Sequence, residues 1–223
     1  MRLLLIRHGQ TTSNVVHALD TAEPGADLTD LGRRQAEAVP AALAEEPIEA
    51  VYVSTLVRTQ QTAAPLARAR GLEPVVRAGL REIVAGDLEM ATDRPSLERY
   101  VETAFGWADD PTPQIPGGEN GVEMLERYDA VVAEIAGSGA QCVAIVSHGA
   151  VIRAYAAARA TNLDPTFCAE HWLRNTAMVV LEGDPEQGWE CVRWEEWPLG
   201  GRELSDPAPE HTGPAGEPEK LED

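Results

Sequence analysis

The sequence predicts an α/β fold, a three-layer sandwich in which a mostly parallel β-sheet carries helices on both faces and receives a cap insertion. Two observations predict it. Short, continuous apolar runs, typical of strands buried on both faces, alternate with segments whose apolar residues recur at helical spacing. Histidines also follow two of these runs directly, at the strand ends where α/β proteins bind ligands. The 223 residues suit one domain with an insertion.

The first half of the chain contains three predicted strands and two predicted helices. Asp30 is the expected N-cap of the first helix, although Pro40 interrupts its apolar pattern. Gly71 is expected to end the second helix. The predicted strands are 3–6, 50–53 and 74–76, and the predicted helices are 31–45 and 57–70.

The second half begins with an irregular stretch, residues 83–120, which we call the cap segment. It contains four prolines, and we expect it to form an insertion with some helix near 96–105. Beyond residue 199 the chain is rich in Pro, Gly and Glu, which predicts one domain over 1–199 and a disordered tail over 200–223. The remaining predicted helices are 121–136 and 150–161, and the remaining strands are 142–146, 177–181 and 190–194.

Composition excludes several kinds of partner. The chain carries 37 acidic and 18 basic side chains, a formal net charge of −19, so nucleic acid and anionic membranes are not expected partners. The three cysteines are widely spaced, which indicates no disulfide framework or zinc knuckle and fits a cytoplasmic protein. The apolar run at 3–6 is too short for a signal sequence or a membrane span. The oligomeric state is left open, with a homodimer as one option.

Candidate site residues follow three of the predicted strands. Arg7 and His8 come directly after the first strand, and His148 comes after the strand at 142–146. Ser54 follows the strand at 50–53, and Arg58 lies one helical turn further on. Because the carboxyl ends of parallel strands form one edge of a sheet, neighbouring strands would bring two imidazoles and two guanidinium groups into one crevice.

This set of side chains suits a phosphoryl group. Two guanidinium groups and an imidazole can bind its equatorial oxygens, while the neutral imidazole of His8 can attack phosphorus. Nearby positive charge is expected to keep His8 unprotonated. Helix N-termini after Gly9 and Gly149 are expected to add backbone N–H donors. Glu82, where the cap segment begins, is the candidate for protonating the leaving oxygen.

Several motifs, in order along the chain, resemble those of the histidine phosphatase superfamily, the phosphoglycerate-mutase-like proteins. The likeness covers about residues 1–197. Residues 5–14 and 28–36 are similar to the N-terminal signature of that family, and 54–62 to its second motif. Residues 80–83 are similar to the segment that holds its acid, and 116–119 and 146–149 to its later motifs.

The resemblance implies a phosphatase, a phosphoric monoester hydrolase acting on a small phosphorylated metabolite, with no metal ion or cofactor. Carried over by motif, it places the nucleophile at His8 and the proton donor and acceptor at Glu82. It implies that Asn14 contacts the phosphate and that Gly149 offers its backbone N–H. The phosphate pocket that it implies is formed by Arg7, Arg58 and His148.

Three positions depart from the family pattern. Leu88 stands where the family often has an aromatic residue, and Met90 stands where it often has glycine, which leaves the cap shape and the substrate open. Asp20 falls near a place where the mutases carry a small residue beside the phosphate. Because a carboxylate repels an anion, we expect Asp20 to point away from the site. Four side chains of the cap segment are candidates for either a leaving-group pocket or the core, with core favoured: Ser96, Tyr100, Phe105 and Trp107.

A cofactor-dependent phosphoglycerate-type mutase is the main alternative to a phosphatase. A mutase must hold a second anionic group, which requires further basic residues. The cap segment has only Arg94 and Arg99 as bases, against eight acidic side chains, and this favours hydrolysis. A non-catalytic module that binds a phosphate ligand is less favoured, because His8 and Glu82 are both present.

Overall fold

A central β-sheet runs through the protein, whose structure, a computed structural model, describes residues 1–206. Its strands within that range are β1 (Arg2–Arg7), β2 (Ala50–Val53), β3 (Val75–Val76), β4 (Cys142–Ser147), β5 (Met178–Asp184) and β6 (Gly188–Glu195). Their spatial order is β3-β2-β4-β1-β5-β6. The first four are parallel, and β5 and β6 add an antiparallel edge. The prediction of a mostly parallel sheet is confirmed.

The helices of the described range follow the predicted alternation, with two short additions. They are α1 (Thr12–Val15), α2 (Asp30–Ala42), α3 (Val57–Arg70), α4 (Arg94–Gly106), α5 (Gly121–Gly137), α6 (Gly149–Arg159) and α7 (Pro165–Glu170). The N-cap of α2 is Thr29 rather than Asp30, because the Thr29 side chain accepts a hydrogen bond from the Gly32 N–H. Gly71 ends α3 in the left-handed conformation, as predicted. α1 and α7 were not predicted.

The sheet separates two apolar layers, which confirms the three-layer prediction. Successive residues of a strand point to opposite faces. Leu3 and Leu5 therefore pack in the layer that includes residues of α5 and α6, whereas Leu4 and Ile6 pack in the layer that includes residues of α2 and α3. All four side chains are fully buried. The strand ends are thereby fixed between two packed faces.

The cap segment folds around one helix, α4, close to the predicted 96–105. The Asp87 N–H donates to the Pro116 carbonyl at 2.8 Å, so two loops of the segment lie side by side. Gly86 has a φ of 58°, and an added Cβ would lie 2.2 Å from the Gly117 carbonyl carbon, so this contact requires glycine. The 116–119 motif therefore braces the segment that follows Glu82.

Ordered structure continues past residue 199. Residues Arg202–Leu204 form a 3-10 turn, and Gln35 Nε2 donates to the Leu204 carbonyl at 2.8 Å. These residues belong to the tail predicted over 200–223, whose remaining residues, 207–223, lie outside the described residues, so the boundary between domain and tail stays a prediction. No helix between residues 1 and 206 is long and apolar enough to cross a membrane.

Candidate active site

The strand ends that carry the predicted site residues lie side by side. β1 pairs in parallel with β4, with Arg7 opposite Ser147, and β4 pairs in parallel with β2. A cavity of about 100 Å³ opens at this edge. His148 is fully buried, with its ring centre 5.2 Å from that of His8. The other predicted residues line the cavity: Arg7, His8, Asn14, Arg58, Glu82 and Gly149.

His8 is held in one tautomer. Its Nδ1 lies 2.7 Å from the Gly9 carbonyl oxygen, and because a carbonyl only accepts, Nδ1 must carry the proton. Nε2 is then unprotonated and accepts a hydrogen bond from Arg58 Nε at 3.1 Å. The available electron pair of the imidazole is therefore on Nε2, facing an arginine that lines the cavity.

Burial and positive charge keep both histidines neutral. Burial lowers the pKa of His8 well below its ordinary value of 6.5, and Arg58 and Arg7 lower it further. Burial also lowers the pKa of His148 well below 6.5, with Arg58 as the largest contributor among the charged groups. Both imidazoles are therefore unprotonated at neutral pH, as the sequence predicts for His8.

The Asp20 carboxylate lies against Arg58, so the expectation that it points away from the site is wrong. Its Oδ2 is 3.5 Å from Arg58 Nη1, and both side chains are almost fully buried. The same oxygen accepts hydrogen bonds from Ser13 Oγ and the Ala26 N–H, each at 2.8 Å. The Asp20 carbonyl accepts a third bond from Arg58 Nη2 at 2.7 Å. The positive charge of Arg58 balances the negative charge of Asp20, and Asp20 in turn holds the Arg58 guanidinium in place.

Arg7 is anchored on the other side of the cavity. Its Nη1 donates to the Leu173 carbonyl at 2.6 Å. Its guanidinium also lies close to the first residue of α6, because an added Cβ on Gly149 would come within 3.2 Å of Arg7 Nε. Glycine at this position therefore allows the backbone of α6 to approach the arginine.

His148 is fixed by Ser54, which ends β2. Ser54 Oγ lies 2.8 Å from His148 Nε2 and 3.0 Å from Thr59 Oγ1. The other ring nitrogen, Nδ1, is buried and has no hydrogen-bond partner among residues 1–206. Buried polar atoms are nearly always paired, so an open Nδ1 beside His8 is an atom on which a ligand can bind.

The N-terminus of α6 holds the carboxylate of Glu82. The N–H groups of Ala150 and Val151 donate to it at 3.1 and 2.8 Å, and the Ile83 N–H donates at 2.9 Å. A helix N-terminus favours an anion, because its first N–H groups have no partners within the helix. These donors serve Glu82, whereas the sequence predicted that they would serve a substrate.

The second predicted N-terminus, after Gly9, also differs from the expectation. The Gly9 N–H donates to Thr62 Oγ1 at 2.9 Å, and the helix that follows, α1, has only four residues. The backbone at Gly9 and Gln10 is bound to the helices behind it, since the Gln10 N–H donates to Gln35 Oε1 at 2.8 Å. The N–H groups of this turn are therefore not available to an anion in the cavity, which must be bound by side chains.

Asn14 is positioned by a residue that sequence reasoning missed. Asn175 Nδ2 donates to the His8 carbonyl at 3.0 Å and to Asn14 Oδ1 at 3.2 Å. The Asn14 amide oxygen accepts the second of these bonds and another from the Thr11 N–H at 3.0 Å, so the Asn14 NH₂ group can donate to a ligand. Thr176 follows with a φ of 58°, an uncommon value for a β-branched residue, and donates to the Arg7 carbonyl at 3.1 Å. No sequence signal links Asn175 to Asn14, which are 161 residues apart.

A buried ion pair holds the segment that carries Glu82. Glu119 and Arg127 are 2.7 Å apart, and Arg127 also donates to the carbonyls of Gly79, Arg81 and Glu82. Glu119 in turn accepts a bond from the Val84 N–H at 2.9 Å. The 116–119 motif thus fixes the backbone on both sides of Glu82. The roles of Glu119 and Arg127 were not predicted.

The outer wall of the cavity is apolar and belongs partly to α4. Of the cap-segment side chains left open by the sequence, Tyr100 and Phe105 line this wall. Trp107 packs in the core, where its Nε1 donates to the Pro113 carbonyl, and Ser96 lies outside the lining. The apolar lining consists of Ala18, Leu19, Leu97, Tyr100, Val101, Phe105, Ala150, Trp172 and Leu173.

Arg153 also lines the cavity, and sequence reasoning missed it. Its guanidinium contacts the rings of Phe105 and Trp172, with its central carbon 4.2 Å from each ring centre. Arg153 is four residues after Gly149 in α6, so the two occupy the same helix face. That spacing is the signal that could have identified it.

The charged lining is more positive than negative, in contrast to the chain as a whole. Arg7, Arg58 and Arg153 face Asp20 and Glu82. Among the described residues, no group of three or more His, Cys, Asp or Glu side chains is arranged to hold a metal ion. Fold and site together define an α/β protein that presents paired imidazoles and guanidinium groups at one sheet edge, an arrangement suited to phosphoryl groups.

The chain belongs to the histidine phosphatase superfamily (branch 1), whose family model matches residues 3–196. The family resemblance is thereby confirmed. The PE-PGRS family protein PE_PGRS11 of Mycobacterium tuberculosis is 34% identical over 216 residues, or 89% of this chain, but the chain spans only 37% of that relative.

Another relative matches over nearly its whole length. Glucosyl-3-phosphoglycerate phosphatase of M. tuberculosis is 29% identical over 204 residues, which cover 86% of this chain and 91% of the relative. A solved structure of mycobacterial glucosyl-3-phosphoglycerate phosphatase with VO3 has a TM-score of 0.72 at 29% identity. The structural match covers 87% of this chain and 98% of the chain in that solved structure.

Proposed function

We propose that this chain hydrolyses small phosphomonoesters through a phosphohistidine on His8, with Glu82 as general acid and base. The observation that carries the proposal is the orientation of His8, whose unprotonated Nε2 faces a guanidinium in the cavity wall. A phosphoryl group bound there lies beside this electron pair. The reaction class agrees with the family and with the phosphatase named among the relatives.

Arg7, Arg58, His148 and Asn14 bind the phosphoryl oxygens in this proposal. The two guanidinium groups neutralise the anion, and the Asn14 amide donates to it. Anion binding favours the tautomer of His148 with a proton on Nδ1, the buried atom that has no protein partner. Gly149 supplies an N–H at the start of α6 and leaves room for Arg7.

Two chemical steps complete the cycle. Nε2 of His8 attacks phosphorus, while protonated Glu82 gives its proton to the leaving oxygen, which departs as an alcohol. The Arg58 bond to Nε2 must break first, and this frees Arg58 Nε for the phosphoryl oxygens. Water then attacks the phosphohistidine and gives a proton to the Glu82 carboxylate. Inorganic phosphate leaves, and Glu82 is protonated again.

A mutase of the phosphoglycerate type fits the cap segment less well. Both of its basic residues lie outside the cavity lining, and Arg94 is paired with Glu98 on the exposed side of α4. A non-catalytic module would not require His8 and Glu82 to share the cavity. The cap segment thus places no cation in the cavity for the second anionic group of a mutase substrate, and hydrolysis remains the better-supported reaction.

Three further properties rest on the sequence and stay predictions. The cycle assigns each proton and charge to side chains, so we propose that it requires no metal ion or cofactor. A cytoplasmic location rests on cysteine usage, and the three cysteines are free thiols in the structure. A homodimer is one option for the assembly.

Trapping the phosphoenzyme tests the proposal directly. Incubation with p-nitrophenyl phosphate should release phosphate and leave acid-labile, base-stable phosphate on the protein. His8→Ala should lose both, with a fall in turnover of at least ~10³-fold, because no other group can form the covalent intermediate. His171→Gln, which changes a histidine outside the cavity lining, is the control and should retain both.

The same preparation distinguishes the alternatives. Isomerisation of 3-phosphoglycerate in the presence of 2,3-bisphosphoglycerate, without net phosphate release, would indicate a mutase. Full turnover by His8→Ala would exclude the proposed nucleophile. A protein that is silent with every monoester but binds inorganic phosphate would be a binding module.

A further inference from the structure

Arg153 is a buried cation without a carboxylate partner. Its side chain is among the largest fully buried ones in residues 1–206, and no carboxylate of that range lies within 4 Å of its guanidinium. Two carbonyls at the end of α7 accept its bonds, that of Cys168 from Nε at 2.8 Å and that of Ala169 from Nη2. A buried charge is usually paired with an opposite charge, whereas the Arg153 guanidinium is held by neutral carbonyls.

Two aromatic rings contact the guanidinium. Its central carbon lies over the ring of Phe105 from α4 and over the ring of Trp172, 4.2 Å from each ring centre. Aromatic faces attract a desolvated guanidinium and exclude water from it. The bonds to Cys168 and Ala169 use the Nε N–H and one N–H of Nη2, which leaves both N–H groups of Nη1 and the second one of Nη2 as donors for a ligand.

The two rings that contact Arg153 belong to the apolar part of the cavity lining. Arg153 lines the same cavity as His8, together with the apolar wall of α4. Burial lowers its pKa to about 9, and the charge of Arg7 lowers it further. It is thus protonated at neutral pH, close enough to Arg7 and Glu82 to interact with both.

We propose that Arg153 binds a carboxylate on the leaving group of the substrate. This inference rests on the proposed phosphatase function and adds a substrate class to it, phosphomonoesters of carboxylic acids. A carboxylate is planar and matches the fork formed by the free N–H groups of Nη1 and Nη2. The substrate would supply the carboxylate that no described residue places within 4 Å of the Arg153 guanidinium. The apolar wall would cover the carbon chain between the two anionic groups.

Two matched pairs of substrates test the subsite with the full chain. O-phosphoserine and phosphoethanolamine differ by one carboxylate, and 3-phosphoglycerate and glycerol 3-phosphate differ by a carboxylate in place of a hydroxymethyl group. The wild type should prefer the carboxylate member of each pair by roughly 10- to 100-fold in kcat/KM, mainly through KM. Arg153→Gln should bring both ratios close to 1, while the rates for phosphoethanolamine and glycerol 3-phosphate change only a few-fold.

Two further variants separate binding from structure. Arg153→Lys keeps the charge but not the fork, so its ratios should be intermediate. Arg159→Gln removes an arginine of the same helix that pairs with Asp129, and it should keep the wild-type ratios. A purely structural role would lower the rates of both members of a pair in parallel. If Arg153→Gln fails to fold, the wild-type and Arg153→Lys ratios decide the question.

The outcomes distinguish this inference from the proposed function. Ratios near 1 in the wild type, together with turnover of p-nitrophenyl phosphate, would overturn the subsite and leave the phosphatase in place. A parallel loss of both members in Arg153→Gln would also overturn the subsite. Absence of turnover with every monoester would overturn the phosphatase and the subsite together.

Discussion

Asp20 places a negative charge inside a site that is to bind an anion. It accepts bonds from Ser13 and Ala26 and lies 3.5 Å from Arg58 Nη1. The carboxylate therefore orients Arg58 while weakening the positive potential that a phosphoryl group meets. Orientation needs an oxygen acceptor, whereas the weakening needs the charge. The two effects can be separated by a substitution that keeps the oxygen and removes the charge.

We predict that Asp20→Asn binds phosphate more tightly and is less stable without it. The amide oxygen can keep the bonds from Ser13 and Ala26, but Arg58 loses its counter-charge. The inhibition constant for inorganic phosphate should fall by roughly 3- to 10-fold. The melting temperature without ligand should fall, because an almost buried arginine is left unpaired. Phosphate should then raise it by more than in the wild type.

Inhibition assays and thermal melts with and without phosphate check this prediction. Asp27→Asn is the control, since Asp27 is exposed and bonds only to Gln61 among the described residues. It should leave both quantities unchanged. An inhibition constant that stays equal or rises in Asp20→Asn would show that the charge of Asp20 does not limit anion binding.

Elements with strong local signals were predictable from sequence. The strands β1, β2 and β4 are continuous apolar runs, and the end of α3 at Gly71 follows from a residue that accepts a left-handed conformation. The start of α2 was misplaced by one residue, because Thr29 and Asp30 are both good caps. α7 was missed, although Asp164 followed by Pro165 is an N-cap signal.

The residues of the site likewise fall into those that local sequence signals predict and those that they do not predict. Motif residues such as His8 and His148 lie at strand ends, so the parallel sheet itself brings them together. Asn175 and Arg153 act through contacts between elements that are distant in sequence, and Asp20 was placed wrongly for the same reason. Local patterns carry no information on such tertiary contacts.

The turn after the 3-10 helix at Gly86–Leu88 carries a strained residue, Met90. Its φ is 60°, in the left-handed region, and its side chain is 55% exposed. The N–H of Met90 donates to the Leu19 carbonyl at 2.9 Å, so the turn is tied to the loop beside Asp20. Because the departure from glycine noted in the sequence falls at a position that favours glycine, it costs stability.

We predict that Met90→Gly stabilises the protein by about 1 kcal/mol. Relief of the steric cost of a Cβ in the left-handed region exceeds the entropy that glycine adds to the unfolded chain. Urea unfolding should show the gain as a higher midpoint with an unchanged slope. Met90→Ala keeps the Cβ and should show no such gain. Equal stability of Met90→Gly and Met90→Ala would mean that the turn relaxes to accommodate a side chain.

The whole molecule combines a strongly acidic chain with a positively charged cavity. A net charge of −19 opposes the approach of a phosphorylated substrate over distances comparable to the Debye length, about 8 Å at physiological ionic strength. Arg7, Arg58 and Arg153 supply positive charge in the cavity lining, close to the sheet edge. Binding of the phosphorylated substrate is therefore controlled by short-range contacts with these arginines. Salt that screens the negative charge of the protein surface should not be needed for the anion to stay bound.

The two buried histidines link the stability of the whole molecule to pH. Their native pKa values lie well below 6.5, with burial as the main cause, whereas in the unfolded chain they titrate near the ordinary 6.5. Above about pH 6.5 both states are neutral, and these groups contribute nothing to the pH dependence. As the pH falls below that value, the unfolded state binds protons that the native state cannot bind. The free energy of unfolding therefore decreases.

We predict a decrease that approaches about 2.7 kcal/mol per pH unit from these two groups together, half of it from each. Urea unfolding of the wild type between about pH 5 and 6.5 should show it, in a window above the range where most carboxylates titrate. His8→Gln and His148→Gln should each remove about half of the slope, since glutamine does not titrate. The difference between each variant and the wild type cancels the pH-dependent repulsion among the acidic side chains. Parallel slopes in all three proteins would mean that the native state takes up protons at His8 and His148 after all, and that neither imidazole is held neutral by its surroundings.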